Sequence, residues 1–247
     1  MFRLLLHGLA ILLLTLLTQL GGVAWLIAQL ARHRVLAFLA AYIALWAGAQ
    51  VTAPFLGRVA LSCWPSGAVQ LTSPLYCALN RHYVVPEMRA VLTDLGQAMD
   101  ERYPGTTTLV LDASFPFIDG FPLLPHLSHQ DGRSADLAFY YRRDGRYLPG
   151  KTPSPIGYFA FEDGPTKCPP AGTALRWNFH WLQPLWPEME IDPDRTRSAT
   201  QILARDPRVQ KIFLEPHLKQ RLGLTSAKIR FQGCNAARHD DHLHIQL

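Results

Sequence analysis

A chain of 247 residues that is 49% hydrophobic and 17% charged is too apolar for a disordered tail, and it leaves room for one good-sized domain plus extras. Its net charge of +5 is modest, and no nucleic-acid-binding motif accompanies it, so no nucleic-acid partner is expected.

The charge is unevenly placed. Leu4 to Leu30 contains no Asp, Glu, Lys or Arg, and neither does Val35 to Gly57. Each run is long enough to cross a bilayer as a helix. A cleaved signal peptide is the alternative for the first run, but its apolar core is too long for one and a second run follows at once. Residues 1–57 are therefore expected to form a membrane anchor, a hairpin of two transmembrane helices, with Gly21-Gly22 loosening the first. Arg32 and Arg34 between the runs place the loop in the cytoplasm and both termini outside. Cys63, Cys77, Cys168 and Cys234 all follow the second run. Four cysteines in an oxidising compartment imply two disulfides. Of the three connectivities, Cys63–Cys77 with Cys168–Cys234 is the expected one. No Cys-x-x-Cys pair is present, which argues against a zinc ribbon or a thioredoxin-type site.

Residues 58–85, punctuated by Pro and Ser, read as a linker that becomes the domain's edge. Pro86 opens a helix, "PEMRAVLTDLGQAMDERY", with Met88, Val91, Leu92, Leu95 and Met99 at helical spacing and Pro104-Gly105 as its stop. "TTTLVLDA", "LAFYYR" and "YFAFE" read as strands. "SATQILARDPRVQKIFLEPHLKQRLG" reads as largely helical, broken at Pro207 and Pro216, and the terminal "HLHIQL" alternates like a strand. The class expected is α+β: an antiparallel sheet with flanking helices carrying a metal site, preceded by the helical hairpin.

Three of ten histidines fall in the last nine residues, at His239, His242 and His244. On a strand His242 and His244 share a face, where two imidazoles make a poor core and good metal ligands. His129 and Asp136 lie seven apart, with Gly132 allowing a turn between them. Two histidines and one carboxylate leave a fourth zinc position open, the layout of a catalytic site. His7 and His33 belong to the apolar segment, and His82, His180 and His217 read as surface or satisfied residues. Trp177, Trp181 and Trp186 read as core or groove wall. Asp112, ending its strand, is a candidate for the cleft.

The motifs "HLSHQDGRSAD" and "HDDHLHIQL" resemble those of the penicillin-insensitive murein endopeptidases, zinc peptidases grouped with lysostaphin, the D-Ala-D-Ala peptidases and the hedgehog signalling domain. The family pattern is His-x-Ser-His-x-x-Gly-x-Asp-x-Asp followed by a late His-Asp-x-His-x-His. The resemblance covers most of residues 86–247, not the hairpin. It implies one Zn2+ held by His129, Asp136 and His244. It also implies His242 as base or proton shuttle, and His126 and His239 as further residues of the catalytic site. Ser134 stands where the pattern has its first Asp, so one supporting carboxylate is missing. Arg133 lies within the motif but reads as a solvated turn residue.

The function implied is hydrolysis of amide bonds in peptidoglycan stem peptides or cross-links. The enzyme would sit in the bacterial cytoplasmic membrane with residues 86–247 in the periplasm. Two alternatives share the fold. One is a D-Ala-D-Ala carboxypeptidase or dipeptidase, although His239 and His242 stand where those relatives carry a Glu-x-x-His. The other is a non-catalytic zinc domain that grips cell wall or a partner.

Overall fold

The computed structural model describes residues 2–124, 128–166, 168–169 and 179–247. Three helices come first: α1 (Phe2–Thr18), α2 (Gly21–Ala28) and α3 (Arg34–Thr52), the last prolonged by a 3-10 turn over Ala53–Leu56. The first apolar run is thus not one span. It folds back at Gln19, whose φ is +65°. Gly21 and Gly22 permit the fold: a Cβ on Gly22 would lie 2.8 Å from the Ile11 carbonyl oxygen, and one on Gly21 would lie 2.8 Å from Thr18 Oγ1. Among the described residues, one helix is long and apolar enough to cross a membrane, Arg34–Leu56. The His7 ring stands beside Trp25, and Trp25 beside Phe38. The start of α1 and the α2–α3 loop with Arg32 and Arg34 therefore lie at the same end of the bundle. This revises the expected exit of the N-terminus on the domain's side.

The remaining chain runs β1 (Val59–Ala60), β2 (Val69–Leu71), α4 (Pro74–Ala78), β3 (Tyr83–Val84), α5 (Pro86–Arg102), β4 (Thr108–Val110), β5 (Ser134–Ala138), β6 (Tyr141–Arg143), β7 (Arg146–Tyr147), β8 (Glu190–Ile191), α6 (Pro193–Arg205), β9 (Lys211–Phe213), α7 (Pro216–Arg221), β10 (Ile229–Arg230) and β11 (His242–Gln246). The main sheet has the order β10-β9-β11-β5-β4-β2. It is mixed, not antiparallel throughout. β9, β11, β5 and β4 alternate in direction, while β2 runs parallel to β4 and β10 parallel to β9. α5 supplies the crossover between β2 and β4, and α7 the one between β9 and β10, which parallel neighbours require. Residues 58–85 thus include the sheet's edge strand, β2.

α5 forms where expected, with Pro86 at its start and Glu87 in its first turn. It buries Met88, Val91, Leu92, Leu95 and Met99 in the main core, with Ala135, Leu137, Ile212, Leu243 and Ile245 of the sheet. Three strand and helix expectations fail for local reasons. "LAFYYR" is two strands, because Tyr140 turns to the N-terminus of α6: its N–H donates to Thr196 Oγ1 and its carbonyl accepts from Asp192 N–H. "KIF" is a strand, not helix, since Pro207 and Pro216 leave too short a window and β11 takes its backbone bonds. "YFAFE" is a loop. Gly157 and Phe159 both have positive φ, and the N–H groups of Phe159 and Glu162 donate to Asp241 Oδ2 and the Asp240 carbonyl.

Candidate metal centre

β5 and β11 pair antiparallel with His244 directly opposite Asp136, both deep in the sheet. His129 reaches the same point from the turn before β5. Gly132, at φ +69°, makes that turn, and the Val85 N–H donates to its carbonyl. His129, Asp136 and His244 are at most 1% exposed. Their ligand atoms converge. His129 Nε2 is 3.1 Å from His244 Nδ1 and 3.2 Å from Asp136 Oδ1, and His244 Nδ1 is 2.7 Å from Asp136 Oδ1. These three residues form a group able to hold a metal ion.

The donor chemistry fits a cation. The Nδ1–H of His129 donates to the Ala113 carbonyl at 2.8 Å, which leaves Nε2 as a lone-pair donor. Tyr158 donates its hydroxyl to Asp136 Oδ2 at 2.6 Å, leaving Oδ1 towards the two rings. Ligands about 2.0–2.2 Å from a tetrahedral zinc stand about 3.3 Å apart, close to the spacing of the histidine nitrogen with its two neighbours. Burial drives the His244 ring down to about 4, only partly offset by Asp136, so it stays neutral as a ligand must. Burial also opposes charge on His129, but Asp136 outweighs it and holds that ring above the usual histidine value.

His242 stands one alternation along β11 from His244, on the same face. Its Nδ1 is 2.5 Å from Asp241 Oδ1 and its Nε2 is 3.6 Å from Asp136 Oδ2. Burial opposes its charge, but Asp136 and Asp241 outweigh burial and raise it to about 9. The His239 ring lies 4.9 Å from that of His242 and 5.6 Å from that of His244. Its backbone exchanges hydrogen bonds with Glu215. The structure therefore gathers His129, Asp136, His239, His242 and His244 in one place. His126 and Trp177 lie outside the described residues.

Other expectations resolve simply. Arg133 faces solvent and sits 3.5 Å from Glu87. Asp112 is buried in an ion pair with Arg81, and its carbonyl accepts from the Asp136 N–H. Trp181 is exposed. Trp186 lines an open cleft of about 540 Å³ with Tyr141, Phe161, Glu162 and Gln183, which contains none of His129, Asp136 and His244. Cys63 and Cys77 approach His82, but their sulfurs are bonded to each other, and Cys168 pairs with Cys234. Both disulfides are the expected ones. Of Asp240 and Asp241, either of which the sequence offers to orient a ring N–H, it is Asp241 that holds His242, while Asp240 pairs with Arg238; sequence reasoning missed Tyr158 and the Arg81–Asp112 pair. Tyr158 lies 22 residues beyond Asp136 and meets it only because the expected "YFAFE" strand is a loop over the site. No protein-family model matches the chain, and no curated protein matches its sequence.

Proposed function

We propose that the protein is a membrane-anchored zinc peptidase. It hydrolyses amide bonds in peptidoglycan stem peptides or cross-links, on the outer side of the bacterial cytoplasmic membrane. The observation that carries this reading is the convergence of His129 Nε2, Asp136 Oδ1 and His244 Nδ1 on one buried point, with His242 beside it. These three would hold the zinc, which supplies Lewis acidity towards an amide carbonyl and acidifies water. Asp241 fixes the His242 tautomer by taking its Nδ1–H, so Nε2 is the atom that accepts a proton and passes it to the leaving amine. Tyr158 holds the second oxygen of Asp136 and so orients the carboxylate. His239, and His126 by resemblance, line the site. The two disulfides suit an oxidising compartment. Arg3, near the start of α1, and Arg32 and Arg34, at the α2–α3 loop, favour that end of the helices as cytoplasmic.

The test uses the full chain in detergent. Zinc is quantified, and cross-linked peptidoglycan is incubated with the wild type and with His242→Ala. About one zinc per chain in both proteins is expected, with new peptide ends formed by the wild type and a loss of about 100-fold or more in the variant. Absence of bound metal would sink the reading. Zinc without cleavage on several wall types would leave a binding domain, and release of terminal D-alanine alone would make it a carboxypeptidase.

A further inference from the structure

Two of the three ligands take their orientation from main-chain groups just beyond β4. The Leu111 N–H donates to the Asp136 carbonyl, and the Asp136 N–H donates to the Asp112 carbonyl, both at 2.8 Å. The Ala113 carbonyl takes the Nδ1–H of His129, also at 2.8 Å. The directions of the Asp136 carboxylate and of His129 Nε2 therefore depend on where residues 111–113 are held.

Arg81 holds them. Its main-chain carbonyl accepts the Ala113 N–H at 3.1 Å. Its guanidinium forks on the Asp112 carboxylate, Nε to Oδ1 at 2.9 Å and Nη2 to Oδ2. Its remaining nitrogen, Nη1, donates to the Leu124 carbonyl at 2.7 Å. One residue thus grips the segment 112–124, which leads on towards His129, at both ends. Two residues along, Tyr83 and Ser114 exchange both backbone hydrogen bonds.

The backbone around Arg81 is itself fixed, because its neighbours are bound to the helices. Tyr42, Trp46 and Gln50 lie on successive turns of one face of α3. The Tyr42 hydroxyl donates to the Ala78 carbonyl at 2.5 Å, Trp46 Nε1 to the Cys77 carbonyl at 2.9 Å, and Gln50 Nε2 to the Tyr83 hydroxyl at 2.7 Å. Asn80, buried and at φ +58°, donates from Nδ2 to the Thr18 carbonyl and to the Tyr42 hydroxyl. Leu20, Ala49, Ala53 and Tyr83 close a small core there.

Arg81 is 8% exposed and Asp112 1%. An ion pair so deep is a poor source of stability. Lost hydration offsets the attraction, and an apolar pair of similar volume often serves as well. What an apolar pair lacks is the two-pronged fork, which fixes distance and angle together. We infer that Arg81, acting with Asp112, is a positioning residue of the metal centre. The fork sets the peptide groups of 112 and 113, and through them the aim of Asp136 and His129 at one ion. This role rests on the metal centre of the peptidase reading, but concerns how the ion is held rather than which bond is cut.

The test uses the full chain in detergent. Three quantities are read: zinc affinity by competition with a chromogenic chelator, the visible spectrum of the cobalt-substituted protein, and denaturant unfolding of the metal-free protein. Arg81→Met combined with Asp112→Leu removes both charges and leaves no buried ion unpaired. The metal-free double variant is expected to unfold close to the wild type. It should bind zinc about 10–100-fold more weakly, with shifted cobalt bands. Arg81→Lys keeps the charge without the fork. It should also bind zinc more weakly than the wild type, though less so than the double variant. Wild-type zinc affinity and cobalt spectrum in the folded double variant would overturn the assignment. So would wild-type affinity in Arg81→Lys, since charge alone would then suffice. A loss of affinity matched by an equal loss of metal-free stability would mark the pair as structural only. Should the double variant misfold, Arg81→Lys decides by the same readouts. Wild-type protein that holds zinc and cleaves no wall, with affinity lost in the variants as expected, would support the positioning role and overturn the peptidase reading instead.

Discussion

Asp136 is asked to serve four groups at once: two ring nitrogens at Oδ1, and Tyr158 and His242 at Oδ2. Its neighbours therefore tune the site more than their distance in sequence implies. Removing the tautomer lock with Asp241→Asn should keep zinc bound and slow turnover about 10–100-fold, checked by metal analysis beside kcat. In metal-free protein His242 titrates near 9, so it carries a proton at neutral pH, and a divalent cation beside it favours the neutral ring. Adding zinc should shift its titration downward, which histidine NMR with and without chelator would register. An unchanged titration would place the ion elsewhere. His82 gives a separate pH dependence. Burial lowers it from 6.5 to about 4, which at 1.36 kcal/mol per pH unit is about 3 kcal/mol. The unfolded ring binds the proton more readily, so this stability is complete above pH 6.5 and is lost as pH falls towards 4. The pH slope of unfolding should flatten in that window for His82→Gln. At this scale the convergence of His129, Asp136, His242 and His244 was legible, because a turn glycine and strand alternation put them within reach of each other. Tyr158 was not, since no local periodicity links it to Asp136.

Among the elements, those governed by their own residues were the readable ones. α5 announces itself through Pro86 and a heptad-like apolar face, and β11 through alternation. The failures share a cause: a side chain or backbone from elsewhere claims the donors that a strand would use. Asp241 does this to Phe159, and Thr196 to Tyr140. The antiparallel expectation holds in the middle of the main sheet and fails at its edges, where α5 and α7 return β4 and β10 parallel to β2 and β9. The turn between β4 and β5 can be probed directly. Gly132 has φ +69° and the Arg58 guanidinium where a Cβ would go. Gly132→Ala should cost about 1–3 kcal/mol in denaturant unfolding and weaken metal retention, while the same change at Gly145, also at positive φ but with open space around it, should cost no more than the strain alone.

Taken whole, the molecule is held together by ties that are long in sequence. Cys168–Cys234 closes 66 residues, from the segment after the site's covering loop to the approach of β11. Replacing both with serine should destabilise the chain by about 2–5 kcal/mol, read as a lowered denaturation midpoint, with no such change in protein already kept reduced. The four cysteines pair as expected, although their order along the chain left three connectivities open. The packing of helices on the domain was not legible, because Tyr42, Trp46 and Gln50 pass as ordinary interfacial residues until their partners are known. That packing bears on how the protein can be handled at all. A fragment beginning at Arg58 would strip Tyr83 of Gln50, Asn80 of Thr18 and the small core of Leu20, Ala49 and Ala53. It would bare an apolar scar next to unsatisfied polar groups. Such a fragment should clump during expression unless a detergent or a separately supplied helix covers the scar, so helices and domain must be produced as a single working part.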